Sequence, residues 1–205
     1  MDILRKALII CILFSALTNY AQDNGKIQQA FELSYKAEAK GDYSTAIQQL
    51  TSVYQAESYE INIRLGWLNY VSGRFSEALP YYQKCIALMP MSIEARLGYV
   101  NPAAALGNWV AVEQQYREIL RIDPMNTTAN YRIGLLFYGR EKFPEALKYF
   151  NKVLNLYPFD YDTALMVGWS LYKSGKLREA KVMFQKTLLI KPNDSSALEG
   201  LSLIR

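Results

Sequence analysis

A 34-residue period limits what this chain can fold into more than any other feature of its sequence. Four prolines follow one another at this spacing: Pro90, Pro124, Pro158 and Pro192. A hydrophobic residue followed by glycine returns in one register, at Leu65-Gly66, Ile133-Gly134 and Val167-Gly168. A fixed period of this length indicates supersecondary units that stack, because one such unit cannot bury its own apolar face.

Each period divides into two helical segments joined by a short turn. In the period 59–92, Leu65 and Leu68 share one helix face, and Ala78 and Tyr82 share a face of the next helix. A glycine recurs in the turn, at Gly73, Gly107 and Gly175. Glycine just after a helix and proline shortly after one are stop signals, because glycine accepts positive φ and proline cannot continue a helix. No alternating strand pattern appears, so the sequence predicts an all-α fold.

The register predicts five repeats and a final helix. The repeats cover residues 27–58, 59–92, 93–126, 127–160 and 161–194, and the final helix belongs to residues 195–205. The first repeat is two residues short, because Ala46 precedes its counterpart Ala78 by 32 residues. Ser58 stands near the place of the closing proline. Residues 22–26 are polar and contain Gly25, which predicts a flexible lead-in.

With these residues the chain resembles the tetratricopeptide repeat family. Besides the glycine pairs and the prolines, the resemblance rests on a large residue after the turn, at Tyr43, Phe75, Trp109, Phe143 and Leu177. It also rests on a small residue in the second helix, at Ala46, Ala78, Ala146 and Ala180, and a large one four residues later, at Leu50, Tyr82, Tyr116, Phe150 and Phe184. The resemblance covers residues 27–205. It implies an all-α, right-handed solenoid of five helix-turn-helix repeats with a C-terminal capping helix.

In the family that this chain resembles, the first helices of successive repeats line a concave surface that holds peptide. The residues expected on this face are Tyr35, Trp67, Tyr70, Asn101, Tyr131, Tyr138, Trp169 and Tyr172. Aromatic side chains with a polar tip offer large contact area at low entropic cost, so we predict a ligand-binding groove here. Alternatively, the aromatic residues pack against the neighbouring repeat. Some members of the family clamp a C-terminal carboxylate with a lysine and asparagine set, and the lack of that set disfavours such a ligand.

The third repeat departs most from the pattern. Val100 replaces the small residue of the first helix, and Val112 replaces the alanine of the second. Pro102 lies inside the first helix, where proline removes a donor and crowds the carbonyl group four residues back, at Gly98. We expect the missing side chain of Gly98 to make room for a bend. The bend either is a tolerated irregularity or re-aims the groove around Asn101.

The first 21 residues are typical of a targeting segment. Arg5 and Lys6 precede an apolar run, 7–17, that is too short to cross a bilayer comfortably, and Ala21 is a suitable last residue before cleavage. This pattern predicts a signal peptide over residues 1–21 and an exported protein without a stable membrane span after cleavage. A retained N-terminal anchor is the alternative.

The two cysteines predict no disulfide within the exported protein. Cys11 lies in the apolar run, where the bulky Ile9 and Ile10 before it disfavour lipid attachment. Removal of the signal peptide leaves Cys85 alone. Cys85 occupies a core position of its repeat, which predicts a buried structural thiol.

The composition disfavours catalysis. The chain has no histidine, which removes the usual catalytic triads, imidazole ligands and proton shuttles. The single remaining cysteine, the scattered carboxylates and the lack of phosphate-binding glycine loops predict no catalytic residue, no metal and no cofactor. The net charge is +4, with net −3 over residues 22–60 and net +4 over residues 171–205. Such mixed, mild charge makes nucleic acid a poor partner.

Together these features predict a non-enzymatic adaptor or scaffold of the bacterial cell envelope, either periplasmic or associated with the cell surface. We expect it to bind a protein or peptide partner through the aromatic groove. Two alternatives stay open. One is a glycan-binding envelope protein, since tryptophan and tyrosine faces also suit sugar rings, and the other is an assembly subunit of a multiprotein complex that uses its ends.

Overall fold

Helices make up the regular structure of residues 24–204, the part of the chain that the computed structural model describes. This part contains eleven helices and no strand. Their bounds are 24–38 for α1, Tyr43–Thr51 for α2, Tyr59–Val71 for α3, Phe75–Leu88 for α4, Ile93–Ala105 for α5, Trp109–Ile122 for α6, Thr127–Gly139 for α7, Phe143–Leu156 for α8, Tyr161–Lys173 for α9, Leu177–Ile190 for α10 and Ser195–Ser202 for α11. The predicted all-α fold class is confirmed. The predicted signal peptide lies outside the described residues.

The helices form pairs of regular size. From α3 to α10, each first helix has 13 residues and each second helix has 14. Contacts between Cα atoms divide the chain into two compact units, with the boundary between Leu106 and Gly107. Helices α1 to α5 belong to the first unit, and helices α6 to α11 belong to the second.

Each unit buries an apolar core of its own. The core of the first unit includes Ala37, Ala46, Leu50, Ile61, Leu65 and Leu68. The core of the second unit includes Ala146, Leu147, Phe150, Val167, Leu171, Ala180, Phe184 and Ala197. The small residues of the second helices and the large residues four positions later are buried in both units, as the repeat pattern predicts.

In the first unit an aromatic ring fills the gap that two glycines leave between helices. The buried ring of Tyr82, in α4, lies against Gly66 of α3 and Gly98 of α5. A Cβ atom at Gly66 would lie 3.0 Å from this ring, and one at Gly98 would lie only 2.2 Å from it. The missing side chain of Gly98 therefore accommodates the Tyr82 ring, a role that the expectation about a bend at Pro102 did not include.

The second unit repeats this arrangement 102 residues later. The buried ring of Phe184, in α10, lies against Gly168 of α9 and Gly200 of α11. Cβ atoms at these two glycines would lie 2.8 Å and 2.4 Å from the ring. Small residues on one helix and a large ring on the next let the helices approach closely without a void.

Side-chain caps begin the first helices at a fixed 34-residue interval. The capping residues from α3 onward are Ser58, Ser92, Asn126, Asp160 and Asp194. Each accepts a hydrogen bond from a backbone N–H three residues later, which satisfies a donor that helix geometry leaves unpaired. Ser58 thus belongs to the series of caps, and Ala56 stands at the place of the closing proline. The carbonyl oxygen of Ala56 accepts a hydrogen bond from the side-chain amide of Asn62 at 3.0 Å. The carbonyl oxygen of Pro124 accepts the equivalent hydrogen bond from Asn130.

The predicted turn glycines have positive φ angles. The angle is 78° at Gly73, 74° at Gly107 and 76° at Gly175. In the fourth repeat Glu141 takes the same place with a φ of 58°. This left-handed conformation costs a residue with a Cβ atom about 1–2 kcal/mol relative to glycine.

Candidate binding groove

The first helices of the first unit, α1, α3 and α5, line an open groove with a volume of about 740 Å³. Three of the residues predicted to bind a ligand, Tyr35, Trp67 and Asn101, line this groove together. Tyr82 and Gly98 also line it, so the packed ring between the glycines forms part of its wall. The groove therefore lies on the face that the family resemblance implies.

Two aromatic residues present exposed surface in the groove. Tyr35 is 54% exposed and Trp67 is 42% exposed. Asn101 is also exposed, and its amide forms no hydrogen bond with the other residues of the described part. Tyr70, the fourth predicted residue of this unit, is half-buried, and its ring lies 6.0 Å from that of Trp67 and 5.9 Å from that of Phe75. Tyr70 therefore packs behind Trp67 and does not line the groove.

A charged pair holds these aromatic residues in place. The guanidinium group of Arg64 donates to the carboxylate of Glu38 and lies 4.0 Å from the centre of the Tyr35 ring. The indole Nε1 of Trp67 donates to the same carboxylate at 2.8 Å. Arg64 is only 8% exposed, so its cation is paired and stacked within the wall of the groove.

The Glu38 carboxylate stays ionised because of these contacts. Partial burial raises the pKa of Glu38, but hydrogen bonds from Arg64 and Trp67 and the charge of Arg64 outweigh burial. The pKa of this carboxyl therefore lies below its ordinary value of 4.5. Glu38 thus links α1 to α3 at neutral pH.

Carboxylates stand at the other end of the groove. The hydroxyl of Tyr59 donates to Glu94 at 3.0 Å and lies 2.8 Å from the hydroxyl of Ser92, the cap of α5. Burial, with the neighbouring Glu94, raises the pKa of Tyr59 to about 12, so this phenol remains a donor. The carboxylate of Glu60 accepts a hydrogen bond from the Ser58 hydroxyl at 3.1 Å. Glu60 and Glu94 both line the groove.

The four predicted residues of the second unit pack against other rings. Tyr131 lies 5.8 Å from Phe150, and Tyr138 lies 5.3 Å from Phe143. All four, Tyr131, Tyr138, Trp169 and Tyr172, are half-buried against the core of this unit. These ring contacts lie within one repeat, whereas the packing alternative places the rings against the neighbouring repeat.

Trp67 and Trp169 stand at equivalent positions of their repeats, yet their indole N–H groups donate to different neighbours. Trp67 donates to Glu38 of the preceding repeat, whereas Trp169 donates to the hydroxyl of Ser196, in the final helix α11, at 2.9 Å. The ring of Trp169 then lies 5.1 Å from Phe184. Because Glu38 supplies an acceptor on α1, Trp67 stays beside that helix and its outer face remains exposed.

Cys85 is fully buried, as predicted. Burial raises the pKa of its thiol to about 12, so the reactive thiolate is scarce at neutral pH. Within residues 24–204, no cluster of three or more acidic or cysteine side chains could hold a metal ion. None of the helices described for this chain is both long enough and apolar enough to cross a bilayer.

A sequence profile of the tetratricopeptide repeat matches residues 31–90 and 101–161, which is more than half of the chain. The chain belongs to the tetratricopeptide repeat (TPR) family. The predicted family is therefore confirmed.

Two curated proteins are similar to this TPR chain. It is 30% identical over 105 residues to the human protein O-mannosyl-transferase TMTC1, a stretch that covers 51% of this chain and 12% of that protein. It is 26% identical over 167 residues to the TPR repeat-containing protein YpiA of Bacillus subtilis, covering 80% of this chain and 39% of that protein. The chain thus matches well under two thirds of the length of either relative.

Solved structures share the fold of this TPR chain. A tetratricopeptide repeat protein from Parabacteroides merdae superposes with a TM-score of 0.75 at 21% identity, covering 88% of this chain and 72% of that one. A crystal structure of MamA gives a TM-score of 0.71 at 19% identity, covering 82% of this chain and 93% of that one. At such identities the likeness shows the TPR fold alone.

The residues that complete the groove follow the TPR repeat only in part. Glu38 and Arg64 are 26 residues apart. Arg132 stands two periods after Arg64, but Ala104 stands at the place of Glu38 two repeats later, so the pair does not recur and the period gave no signal for it. The contact of Tyr59 with the cap Ser92 does recur, as Tyr161 with Asp194. A search for residues that repeat 102 positions apart could have found this second pair.

Proposed function

We propose that this TPR protein is a non-enzymatic adaptor that binds an extended segment of a partner protein in the groove of its first unit. The observation that carries the proposal is the exposure of Tyr35 and Trp67 beside the unpaired amide of Asn101. The rings offer apolar contact area, and the amide can both donate to and accept from a peptide backbone. The aromatic residues of the second unit are already engaged in packing, which confines the proposal to the first unit.

Photo-crosslinking tests this proposal. A benzophenone amino acid at position 101, in the groove, is expected to capture a discrete partner protein in cells. The same amino acid at position 182, where Val182 is 62% exposed on α10, serves as the control for random encounters. We expect the additional change Trp67→Ala to reduce the product from position 101 at least fivefold, because it removes the largest exposed ring of the groove.

Three outcomes would contradict the proposal. Equal products from positions 101 and 182 would mean that the groove has no special role. A product from position 101 that Trp67→Ala leaves unchanged would show that the exposed rings do not hold the partner. Titration of the purified protein with glycan fragments and with unstructured peptides, followed by tryptophan fluorescence, would favour the glycan alternative if only the glycans gave a response.

We further propose that the protein works outside the cytoplasm, in a bacterial cell envelope. The support is the pattern of residues 1–21, with its basic start, short apolar run and terminal alanine. In cells that express a C-terminally tagged chain, we expect an added protease to reach the tag once the outer permeability barrier is opened. Protection of the tag until the cytoplasmic membrane is lysed would refute export.

A further inference from the structure

We propose that the groove of the first unit selects a segment that carries lysine or arginine, whose cationic group pairs with the carboxylates of Glu60 and Glu94. This inference rests on the proposed peptide-binding function and adds the chemical class of the partner. It follows from the balance of charge in the groove, from the way the two carboxylates are held, and from the aromatic surface beside them.

The charge of the groove is negative. Glu60 and Glu94 line it, and Arg64 is the one cation among the lining residues. Arg64 forms its ion pair with Glu38, which leaves no cation of the groove to neutralise the other two carboxylates. Neither Glu60 nor Glu94 forms an ion pair with any residue of the described part. An incoming cation would therefore meet two uncompensated charges.

The two carboxylates are positioned by neighbouring hydroxyl groups. Tyr59 donates to Glu94, and Ser58 donates to Glu60. Each of these bonds uses one acceptor site of a carboxylate that has about four, so both carboxylates keep free acceptor sites for an ammonium or guanidinium group. A preorganised acceptor loses little conformational freedom on binding, which favours specificity.

The aromatic surface suits the stem of a basic side chain. Trp67 and Tyr35 present exposed ring surface in the same groove, and the aliphatic stem of lysine or arginine packs well against such rings. An acidic side chain would gain the same apolar contact only through its shorter stem and would meet like charges. Charge therefore discriminates between segments that the rings alone would accept.

The helix positions of the two carboxylates give them a role besides lining the groove. Glu60 and Glu94 lie in the first turns of α3 and α5, where carboxylates also stabilise their own helices. Glu77 and Glu179 occupy the first turns of α4 and α10, are exposed, and do not line this groove. These two residues share the helix role of Glu60 and Glu94 and provide a matched control.

The test uses pools of random nonapeptides whose central residue is fixed as Lys, Arg, Leu, Gln or Glu. We expect the Lys and Arg pools to bind the protein about tenfold more tightly than the Glu pool at low salt, with the difference shrinking as salt rises. The double variant Glu60→Gln and Glu94→Gln is expected to reduce this preference to about twofold. The control variant Glu77→Gln and Glu179→Gln should keep it.

The possible failures are distinguishable. If no pool binds, the proposed peptide-binding function itself is wrong. If all pools bind equally and Trp67→Ala abolishes the binding, the function stands and the charge selection is refuted. A preference for the Glu pool also overturns the inference. Sedimentation that shows a self-associated protein, dispersed by the Glu60→Gln and Glu94→Gln variant, would overturn it in favour of a second copy as the occupant.

Discussion

Gly98 joins the core of the first unit to its groove at the scale of a single residue. The gap left by its missing side chain holds the ring of Tyr82, and both residues line the groove. The shape of the groove wall is thus set by a core contact. A change at this position is expected to affect stability and binding together.

We predict that Gly98→Ala lowers the free energy of unfolding by about 1–3 kcal/mol, because its Cβ atom would lie 2.2 Å from a buried ring that has little room to move. Urea denaturation followed by circular dichroism measures the change. Gly139→Ala is the control, since a Cβ atom at this helical glycine meets no atom within 4 Å. Equal effects of the two substitutions would show that the ring contact is not responsible.

At Glu141 we predict the opposite effect. Glu141→Gly is expected to raise the free energy of unfolding by about 0.5–1 kcal/mol, because glycine adopts the φ of 58° without a steric cost. The greater conformational entropy of glycine in the unfolded chain offsets part of this gain. The reciprocal change, Gly175→Ala, should lower it by about 1 kcal/mol, since a Cβ atom there meets nothing and only the φ of 76° is strained. A loss of stability in Glu141→Gly would contradict this account.

At the scale of helices, a tyrosine hydroxyl joins each of two first helices, α3 and α9, to the cap of the next first helix. The hydroxyl of Tyr161, which begins α9, donates to the carboxylate of Asp194, which caps α11, at 2.5 Å. Asp194 in turn accepts from the backbone N–H of Ala197 at 2.9 Å. A single carboxylate therefore both caps α11 and attaches it to α9.

We predict that Tyr161→Phe lowers the free energy of unfolding by about 1–2 kcal/mol, because a charge-assisted hydrogen bond is lost while the ring is kept. Thermal and urea denaturation measure the effect. Tyr157→Phe is the control, because Tyr157 is 59% exposed and its hydroxyl makes no hydrogen bond within residues 24–204. The same loss in both variants would exclude a specific role for the bond to Asp194.

The helices could be predicted from the sequence because the residues that form them repeat. From the second repeat onward, turn glycines, buried alanines and closing prolines recur at multiples of 34 residues, so each repeat supports the interpretation of the others. The groove could be predicted only in part. Tyr35, Trp67 and Asn101 were found from the face on which they lie.

The exposure of the groove's rings depends on side-chain contacts that do not repeat. Trp67 and Trp169 are equivalent in sequence, and nothing in the period distinguishes the exposed ring from the half-buried one. The difference comes from Glu38, which offers an acceptor on one side, and from Ser196, which offers one on the other. Whether a ring is exposed or half-buried depends on the side chains that it contacts on other helices, and the spacing of residues along the chain does not reveal these contacts.

At the scale of the whole molecule, stability should depend on acidity through carboxylates in both units. A hydrogen bond from Arg140, and another from Arg117, hold the pKa of Glu113 below its ordinary value in the second unit. Contacts with Arg64 and Trp67 do the same for Glu38 in the first unit. A carboxyl whose pKa is lower in the folded state binds protons more readily when unfolded, so its contribution is present above the unfolded pKa, near 4.5, and is lost as pH falls through the folded value.

We therefore predict that the free energy of unfolding is nearly constant from pH 7 to about pH 5 and then declines steadily as the pH is lowered further. Glu113→Gln is expected to be less stable than the natural protein at pH 7 and to decline less steeply in acid. Urea denaturation at a series of pH values measures both curves. If the free energies of unfolding of the two proteins fell in parallel with pH, Glu113 would not contribute to the acid sensitivity.

The regular interval of the caps has a consequence for how such a chain changes its length. A stretch that runs from one cap to the residue before the next, such as 92–125, contains one cap, two helices and the turn between them. Unequal recombination between two equivalent points of the coding sequence would add or remove one such stretch. Every remaining first helix would then still begin at a side chain able to cap it, and no junction of a new kind would arise. A gene of this form can gain or lose whole repeats, and the protein encoded at each step keeps a cap at the start of every first helix.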